Sequence, residues 1–290
     1  MSKLLITGST GFVGRYVVNA ALKKGLEIYL LVRNPSKAKV LYGQSVRIYV
    51  VEDFTDKNNL LKILKEIDPE YVIHLIGIIQ ENRSKGVTFE KVHYEYSKQL
   101  YDLLKDFSPK KVVHMSALGV DEKAPSQYHI TKLKAEKKLI ESGLSYVILR
   151  PSFIIGPEQL LFIKLKPLLK RTPFLLFPDF GNYSFQPIDV RDVAESFINA
   201  LTYEKNAIFE LCGDEKVKFN SLIKDFVRVL GKNVLFFPFP KMLLKIFAPE
   251  QYLMMWRDNI CGYNESLTAE DILGRSPISY KESIKWSALF

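Results

Sequence analysis

The chain has 290 residues, with 41 Lys and Arg against 32 Asp and Glu, and a formal net charge of +9. Its 47% hydrophobic and 25% charged residues are typical of a globular protein, which excludes disordered, collagen-like and multi-pass membrane classes. This length allows one large domain or two smaller ones around a full hydrophobic core.

The positive charge has two interpretations. An anionic partner, such as nucleic acid, a lipid surface or a phosphorylated ligand, would be attracted to it. A solvated surface rich in Lys and Glu would have the same net charge. Because the cations are spread along the whole chain without a long basic block, we expect the second, with a local phosphate site and no nucleic-acid partner.

Cysteine content and the N-terminus bear on the compartment. Cys212 and Cys261 cannot form a disulfide framework, and no CxxC motif occurs, so we expect a reducing compartment. The apolar run in "MSKLLITGSTGFVG" is too short for a signal peptide, and no stretch approaches the length of a membrane span. The expected location is therefore the cytoplasm.

The N-terminal half alternates short apolar runs with amphipathic stretches, which is typical of βαβ units. Strands are predicted at 3–7, 27–33, 46–53, 71–79, 111–117 and 145–152. Helices are predicted at 12–24, from Pro35, and at 56–67, 89–107 and 128–142. Beyond Pro151 the rhythm changes: 157–182 lacks strand periodicity, and a strand, a helix, a strand and a helix are predicted within 183–201, 207–213 and 219–231.

Strands that are apolar throughout are typical of a parallel sheet buried on both faces. The predicted fold is therefore α/β, a Rossmann-type doubly wound parallel sheet with a small C-terminal lobe. We assign 1–150 with about 183–213 to the nucleotide-binding domain, and about 151–182 with 214–290 to the lobe. The lobe is expected to close over the carboxyl ends of the strands, where such sheets bind ligands.

A glycine-rich loop joins the first predicted strand to the first helix. It contains Gly8, Gly11 and Gly14, which permit a tight turn, close approach to a phosphate and close helix–sheet packing. The free N–H groups of the helix would face a pyrophosphate. The expected dinucleotide-binding residues of this loop are Thr7, Gly8, Ser9, Thr10, Gly11, Phe12, Val13 and Gly14, with hydroxyl donors on Thr7, Ser9 and Thr10. No GK[ST] follows, so it is not a Walker loop.

The end of the second strand distinguishes NAD from NADP, because an acidic residue there binds the ribose 2′-hydroxyl and repels a 2′-phosphate. Here the sequence is "LVRNPSK", and Arg33 and Lys37 favour the 2′-phosphate of NADP(H). NAD(H) remains an alternative. Asp53, which is followed by Phe54, either accepts a hydrogen bond from the adenine amino group or caps a turn.

Ser116 lies at the end of the fifth predicted strand, and Tyr128 and Lys132 follow four residues apart, on one helical face. A nearby ammonium lowers the pKa of a phenol, which would make Tyr128 a proton donor or acceptor near neutral pH. Ser116 would then hydrogen-bond the reacting carbonyl oxygen. Proton transfer beside a hydride carrier is carbonyl/alcohol redox chemistry.

These motifs resemble the extended or atypical short-chain dehydrogenase/reductase superfamily, which is epimerase/dehydratase-like. The segments "TGSTGFVG", "YHITK" and "ILRPSFIIGP" followed by "FQPIDVRDVA" occur in the expected order over nearly the whole chain. The segments "VIHLIGII", "VHMSALG", "RPSFIIGPE" and "LTAEDILG" look most like the branch of the nucleotide-binding accessory subunit of respiratory complex I and its bacterial relatives.

The resemblance implies a nicotinamide cofactor at Gly8, Gly11, Gly14 and Arg33, and a catalytic Ser116, Tyr128 and Lys132. It also implies that Lys132 anchors the nicotinamide ribose and that Pro151 and Ser152 lie near the nicotinamide. Members of that branch can serve as structural or assembly components, which would place the chain at the periphery of the inner membrane.

One position departs from the pattern. Dehydrogenases often place an Asn in the helix after strand four, where this chain has Val92 and His93. We interpret His93 as a helix-surface residue and not as a substitute for that Asn. His74 and His114 are interpreted as core or pocket residues, and no His or Cys spacing indicates a metal site.

Three functions are therefore considered: an NADP(H)-dependent oxidoreductase acting on a small-molecule carbonyl or alcohol, a non-turnover NADPH-binding accessory or assembly subunit of a respiratory NADH dehydrogenase, and a nucleotide-sugar epimerase/dehydratase. Arg33 opposes the third, because such enzymes usually prefer NAD.

Segment 238–259 is either lobe core or an apolar surface for a membrane or a protein partner. A bulky apolar substrate is suggested by six aromatic residues, Phe153, Phe162, Phe174, Phe177, Phe180 and Tyr183. The sequence does not indicate an oligomeric state.

Overall fold

The computed structural model describes residues 1–178, 181–262 and 266–289, and its strands follow the apolar runs of the sequence. In chain order the strands are β1 Lys3–Thr7, β2 Glu27–Val32, β3 Arg47–Val50, β4 Tyr71–His74, β5 Lys111–Met115, β6 Tyr146–Pro151, β7 Ile154–Ile155, β8 Phe174–Pro178, β9 Ser184–Phe185, β10 Ile188–Asp189, β11 Ala207–Leu211, β12 Val217–Lys218, β13 Leu235–Phe239 and β14 Leu267–Thr268.

The helices alternate with these strands through the first 200 residues. They are α1 Phe12–Lys23, α2 Pro35–Tyr42, α3 Lys57–Ile67, α4 Tyr96–Leu104, α5 Gln127–Ile140, α6 Leu160–Leu168, α7 Val190–Ala200, α8 Phe219–Val229, α9 Leu244–Phe247, α10 Pro249–Met254, α11 Ala269–Leu273 and α12 Tyr280–Leu289. Several begin at the capping residues that start helices: Asn34, Asp56, Ser126 and Asp189 each accept a hydrogen bond from a backbone N–H of the first turn.

The central sheet has eight strands in the order β14-β11-β6-β5-β4-β1-β2-β3, and every pairing is parallel. One apolar cluster packs α1 and α7 on one face, and a second packs α3 and α4 on the other. The prediction of a Rossmann-type doubly wound sheet is thus confirmed. Strand order reverses between β1 and β4, which opens a crevice at their carboxyl ends.

The chain beyond β6 contributes a third apolar cluster, built around α6, α8 and α12. Where 157–182 shows no strand rhythm, the structure has α6 and then β8, which pairs in parallel with β13. Both faces of β8 are apolar, so period-two alternation is absent from the sequence. The division into a nucleotide-binding domain and a lobe stays a prediction.

Cys212 and Cys261, whose small number led us to expect a reducing compartment, form a disulfide in the structure. Cys212 follows β11 and Cys261 lies 49 residues later, and their Cα atoms are 6.1 Å apart. The pairing depends on the tertiary path of the chain, because the return of 258–261 to the end of the sheet brings the two side chains together. Gln186 fixes that return by accepting a hydrogen bond from the Cys261 N–H at 3.2 Å.

Candidate active site and nucleotide cleft

The glycine loop between β1 and α1 can be built only with glycine at two positions. Gly8 has φ +71°, and a Cβ there would lie 2.8 Å from the Leu75 carbonyl carbon. A Cβ on Gly14 would overlap the Gly8 carbonyl oxygen. Among the described residues, no side chain caps the N-terminus of α1, so its first N–H groups face the cleft. The loop thus provides the backbone donors that an anionic phosphate requires.

Beside this loop lies a cavity of about 370 Å³. Seven predicted residues line it, and they are Gly8, Ser9, Thr10, Gly11, Arg33, Lys37 and Phe54. Nine further lining residues were not predicted individually, and they are Leu31, Val32, Asn34, Leu75, Ile76, Gly77, Ile78, Val92 and Tyr96. Most of the nine follow the carboxyl ends of β2 and β4, a position that the predicted sheet itself marks as ligand-binding.

The donor set of this cavity fits a dinucleotide. The Ser9 hydroxyl is buried and has no hydrogen-bond partner within the described part of the chain. A phosphate oxygen at the loop would give it one. Phe54 and the β4 end supply apolar walls, and Arg33 and Lys37 supply cations at the β2 end.

Eight predicted cofactor residues lie outside the cavity lining, and they are Thr7, Phe12, Val13, Gly14, Asp53, Lys132, Pro151 and Ser152. Val13 is a core residue, and Phe12 packs against the same cluster. The Ser152 hydroxyl donates to the Gln186 carbonyl oxygen at 2.6 Å. The Thr7 hydroxyl points into the protein, 2.7 Å from Nδ1 of His74, and is therefore not the phosphate donor that the sequence predicted.

The carboxylate of Asp53 is hydrogen-bonded to Thr55 in the following turn and to Lys91. One carboxylate oxygen accepts from the Thr55 N–H and hydroxyl at 2.9 and 2.8 Å, and the other accepts from Lys91 Nζ at 2.8 Å. Burial opposes the charge, but these hydrogen bonds outweigh it and lower the pKa of Asp53 to about 2. These are the contacts that the turn interpretation requires, and the hydrogen bond to an adenine amino group stays a prediction.

The candidate catalytic residues meet at the far end of the cavity. Lys132 is buried, and its ammonium donates to the Met115 carbonyl oxygen at 2.9 Å, immediately before Ser116. A Cβ on the cavity-lining Gly77 would lie 3.1 Å from Lys132 Nζ. The Ser116 hydroxyl is buried without a partner among the described residues. Tyr128, one helical turn before Lys132 on α5, completes the predicted set.

Burial dominates the protonation of these groups. It lowers the pKa of Lys132 to about 8, against the opposing effect of the Glu136 carboxylate. It also raises the pKa of Tyr128 to about 12, and no lowering by the Lys132 ammonium offsets this. The expectation that Lys132 lowers the pKa of the Tyr128 phenol toward neutral pH is therefore wrong, because burial raises that pKa and the Lys132 ammonium does not lower it.

His93 is the main correction to the sequence interpretation. It is fully buried rather than on a helix surface, within a π-helical turn, Glu90–Glu95, that precedes α4. Its ring meets the Tyr128 ring edge to face, with centroids 5.4 Å apart. The signal was present in the sequence: Ser97, Leu100 and Leu104 follow at helical spacing and are buried with it.

Both ring nitrogens of His93 have hydrogen-bond partners. Nδ1 lies 3.0 Å from the Thr131 hydroxyl, which donates to the Gln127 carbonyl oxygen at 2.8 Å. Nε2 lies 3.0 Å from both the N–H and the carbonyl oxygen of Ile78. Burial and the Lys132 ammonium lower the pKa of His93 to about 2. A neutral His93 therefore joins α5 to the cavity wall.

A buried hydrogen-bond chain continues from His93 toward the glycine loop. Ser97 donates its hydroxyl proton to the His93 carbonyl oxygen at 2.6 Å, so it accepts from His74 Nε2–H at 3.0 Å. His74 Nδ1 accepts from the Thr7 hydroxyl. Burial lowers the pKa of His74 to about 3. His74 and His114 are core residues as predicted, and burial lowers the pKa of His114 as well.

Segment 238–259 divides into two parts. Helix α10 packs on the catalytic helix, where a Glu250 carboxylate oxygen accepts from the Tyr128 N–H at 2.8 Å. Arg257 lies 3.8 Å from Asp121, in the loop before α5. The preceding residues 242–247 are mostly exposed and make no such contact with α5 among the described interactions. The lobe-core and surface interpretations thus each apply to one part.

Four of the six aromatic residues that suggested a bulky apolar substrate belong to the third apolar cluster or pack against it. Phe162 stacks on Phe226 with centroids 4.1 Å apart, and Phe177 packs against Phe219 at 5.2 Å. Phe153 and Tyr183 pack against the same cluster, and Phe174 is exposed on β8. Phe180 lies outside the described residues. The aromatic content therefore gives no information about the substrate.

Across residues 1–178, 181–262 and 266–289, no group of three or more His, Cys, Asp or Glu side chains is placed to hold a metal ion. Within the same ranges, no helix combines the length and the apolar character needed to cross a membrane.

Proteins with similar sequences include subunits of mitochondrial NADH dehydrogenase. The chain is 25% identical over 261 residues to NADH dehydrogenase (ubiquinone) 1 alpha subcomplex subunit 9, mitochondrial, of Arabidopsis thaliana, covering 86% of this chain and 63% of that protein. It is 23% identical to the NADH-ubiquinone oxidoreductase 40 kDa subunit of Neurospora crassa, covering 87% and 66%. The chain thus spans about two thirds or less of the length of these relatives.

Solved structures share the fold at lower identity. UDP-glucose 4-epimerase of Thermotoga maritima, with UDP-glucose, superposes with a TM-score of 0.78 at 21% identity, covering 99% of this chain and 97% of the other. The Thermus thermophilus enzyme in complex with NAD gives 0.75 at 21%, with the same coverage. The sequence profile of the NAD dependent epimerase/dehydratase family matches residues 4–212. With the glycine loop, parallel sheet and cleft already described, this match means that the chain belongs to the NAD-dependent epimerase/dehydratase family.

Proposed function

We propose that this chain is an NADP(H)-dependent oxidoreductase that interconverts a carbonyl and an alcohol on a small-molecule substrate. One observation carries the proposal. Gly77 lines the nucleotide cavity, and the buried Lys132 ammonium lies against it. The cavity therefore ends at the same place as Ser116, Tyr128 and His93, which is where a nicotinamide would present its reactive carbon to a substrate.

The cofactor would be held by the chain's own donors. The α1 N-terminus and the Ser9 hydroxyl would receive the pyrophosphate, and Arg33 with Lys37 would bind a 2′-phosphate. When bound, the nicotinamide supplies or accepts a hydride. Lys132, fixed by the Met115 carbonyl, would orient the adjacent ribose.

The protonation of the site favours reduction of a carbonyl. With its pKa raised to about 12, Tyr128 holds its proton on the phenol oxygen at neutral pH and can donate it to a carbonyl oxygen that gains charge. The unpartnered Ser116 hydroxyl can donate a second hydrogen bond to that oxygen. His93 is hydrogen-bonded to Thr131 on α5 and to Ile78 in the cavity wall. These two hydrogen bonds hold α5, which carries Tyr128 and Lys132, against that wall.

Loss of the reduced-nicotinamide absorbance tests the proposal. The wild-type protein is mixed with NADPH or NADH and a panel of carbonyl compounds, quinones and small-molecule cell extract. Tyr128→Phe should lose turnover and retain NADPH binding, whereas Tyr94→Phe, on the π-helical turn, should retain both. Arg33→Ala should weaken NADPH binding more than NADH binding. Equal loss for both cofactors would contradict the assignment to NADP(H).

A second function is favoured by the relatives, which are named as subunits of NADH dehydrogenase and match 86–87% of this chain. In that case the chain would bind NADPH without turnover and act as an accessory or assembly subunit, attached to the inner membrane through partners. Tight NADPH binding with no consumption by the wild type or by Tyr128→Phe would support it. Conversion of a UDP-sugar with retained NAD would instead support epimerase chemistry, which Arg33 opposes.

A further inference from the structure

The lobe carries a two-stranded ribbon whose outward face is apolar. In the parallel pairing of β8 with β13, Phe174 is opposite Leu235, and Leu176 is opposite Phe237. These four side chains are 45–66% exposed, and the Phe174 and Phe237 rings lie 5.5 Å apart. The alternate residues of the ribbon pack inward on the lobe core. A sheet face in contact with water is normally polar, so this face is unusual.

The helices that come before β8 and after β13 in the chain also expose apolar side chains. Leu160, Ile163 and Leu168 are exposed on α6, which leads into β8. After β13, Ile246 and Phe247 on α9 are 72% and 81% exposed. We call the outward face of β8 and β13, together with the exposed residues of α6 and α9, the ribbon surface.

Charge on the ribbon surface has one sign. The stretches 160–178 and 231–248 contain no Asp or Glu. Their exposed basic residues include Lys164, Lys170, Arg171, Lys232 and Lys245. The charged residues of these two stretches are therefore all cationic, which is complementary to an anionic partner.

The combination favours a lipid bilayer over a protein. Lysine is depleted at protein–protein interfaces, which favour Arg and anchoring aromatic residues in pockets, whereas here leucine and isoleucine share the surface with lysine. A lysine stem can lie along apolar groups while its ammonium reaches a lipid headgroup. Exposed apolar side chains within a cationic field are the recognition chemistry of an anionic membrane surface.

We propose that the ribbon surface docks the protein on an anionic lipid bilayer, with the exposed side chains of β8, β13 and α9 entering the headgroup region. Helix α9 is followed directly in the chain by α10, and α10 packs on α5, where Glu250 accepts a hydrogen bond from the Tyr128 N–H. Docking would therefore place the bilayer next to the segment that borders the candidate active site. This does not depend on whether the site turns over.

Vesicle flotation of the full chain tests this. Vesicles of phosphatidylglycerol mixed with phosphatidylcholine should bind it, neutral phosphatidylcholine vesicles should bind it weakly, and high salt should release it. The double variant Leu176→Gln/Phe247→Gln should reduce binding about tenfold, since each side chain contributes apolar contact to the interface. Lys164→Gln and Lys170→Gln should each reduce it about fivefold.

The matched control is Val40→Gln, which changes an 86% exposed apolar residue on α2, outside the ribbon surface. It should bind vesicles like the wild type, and all variants should retain NADPH affinity as evidence of folding. Equal losses in Val40→Gln and the double variant would overturn the proposal, as would absence of binding to anionic vesicles at low salt. A concentration-dependent dimer that the double variant abolishes would assign the surface to a second copy and overturn it too.

Discussion

Replacing Lys132 by Met should stabilise the protein without ligands at neutral pH. The Lys132 ammonium is 2% exposed, and burial lowers its pKa from the ordinary 10.5 to about 8. One pKa unit corresponds to about 1.4 kcal/mol, so holding the charge in the folded state costs on the order of 3 kcal/mol below pH 8. A Met side chain of similar length has no such cost.

The sign of the pH dependence follows from proton linkage. From about pH 8 to about pH 10 the unfolded chain retains the Lys132 proton that the folded chain has released, so the free energy of unfolding of the wild type rises with pH. The advantage of Lys132→Met should therefore shrink by about 3 kcal/mol over this interval. Loss of the hydrogen bond to the Met115 carbonyl changes the free energy of unfolding at every pH. The variation with pH of the difference between the two proteins therefore reports the charge of Lys132.

Urea unfolding from pH 7 to 10, followed by tryptophan fluorescence, measures the difference between the two proteins. Lys134→Met is the control, because Lys134 lies on the same helix, is 47% exposed and pairs with Glu90 at 2.9 Å. Its difference from the wild type should not vary in the same way. A constant difference between Lys132→Met and the wild type across this pH range would refute the claim that burial depresses the pKa of Lys132.

Three further changes have defined outcomes. Gly77→Ala should weaken NADPH binding roughly tenfold in a calorimetric titration, because the added methyl group would lie 3.1 Å from Lys132 Nζ and would displace the ammonium that is proposed to orient the ribose. Unchanged affinity would contradict that role of Lys132. Glu136→Gln should lower the free energy of unfolding by about 3 kcal/mol by leaving the buried Arg150 guanidinium without its carboxylate, and Glu136→Leu with Arg150→Met should recover most of that loss. Reducing Cys212–Cys261, which closes a 49-residue separation, should lower stability by about 4 kcal/mol, whereas dithiothreitol should leave Cys212→Ser unchanged in thermal unfolding.

The glycine loop and the sheet could be predicted because their causes are local. Gly8 occupies a positive-φ turn between an apolar run and an amphipathic one, and both signals are visible in the sequence. The segment after β4 was predicted as a continuing strand to residue 79, but the strand ends at His74. Residues 75–78 are apolar because they line the cavity, and an apolar run alone does not distinguish a cavity wall from a strand.

The parts of the site that sequence reasoning missed depend on tertiary contacts. The buried position of His93 depends on Thr131 and Ile78, which come from two other segments of the chain. The raised pKa of Tyr128 is a property of the packed environment, which motif spacing does not contain. The pairing of Cys212 with Cys261 likewise requires the path of the chain through β9 and Gln186.

The buried chain from Thr7 through His74, Ser97 and His93 to Thr131 has a consequence for building chimeras of this fold. Along this chain the donors follow one another: the Thr7 hydroxyl donates a hydrogen bond to His74, and His74 donates a hydrogen bond to Ser97. A first βαβ unit transplanted from a relative would need a hydroxyl at position 7, or His74 would be left with a desolvated, unpaired nitrogen. We therefore expect chimeras that exchange β1, β4, the π-helical turn with α4, and α5 together to keep these hydrogen bonds, and chimeras that exchange β1 alone to lose stability.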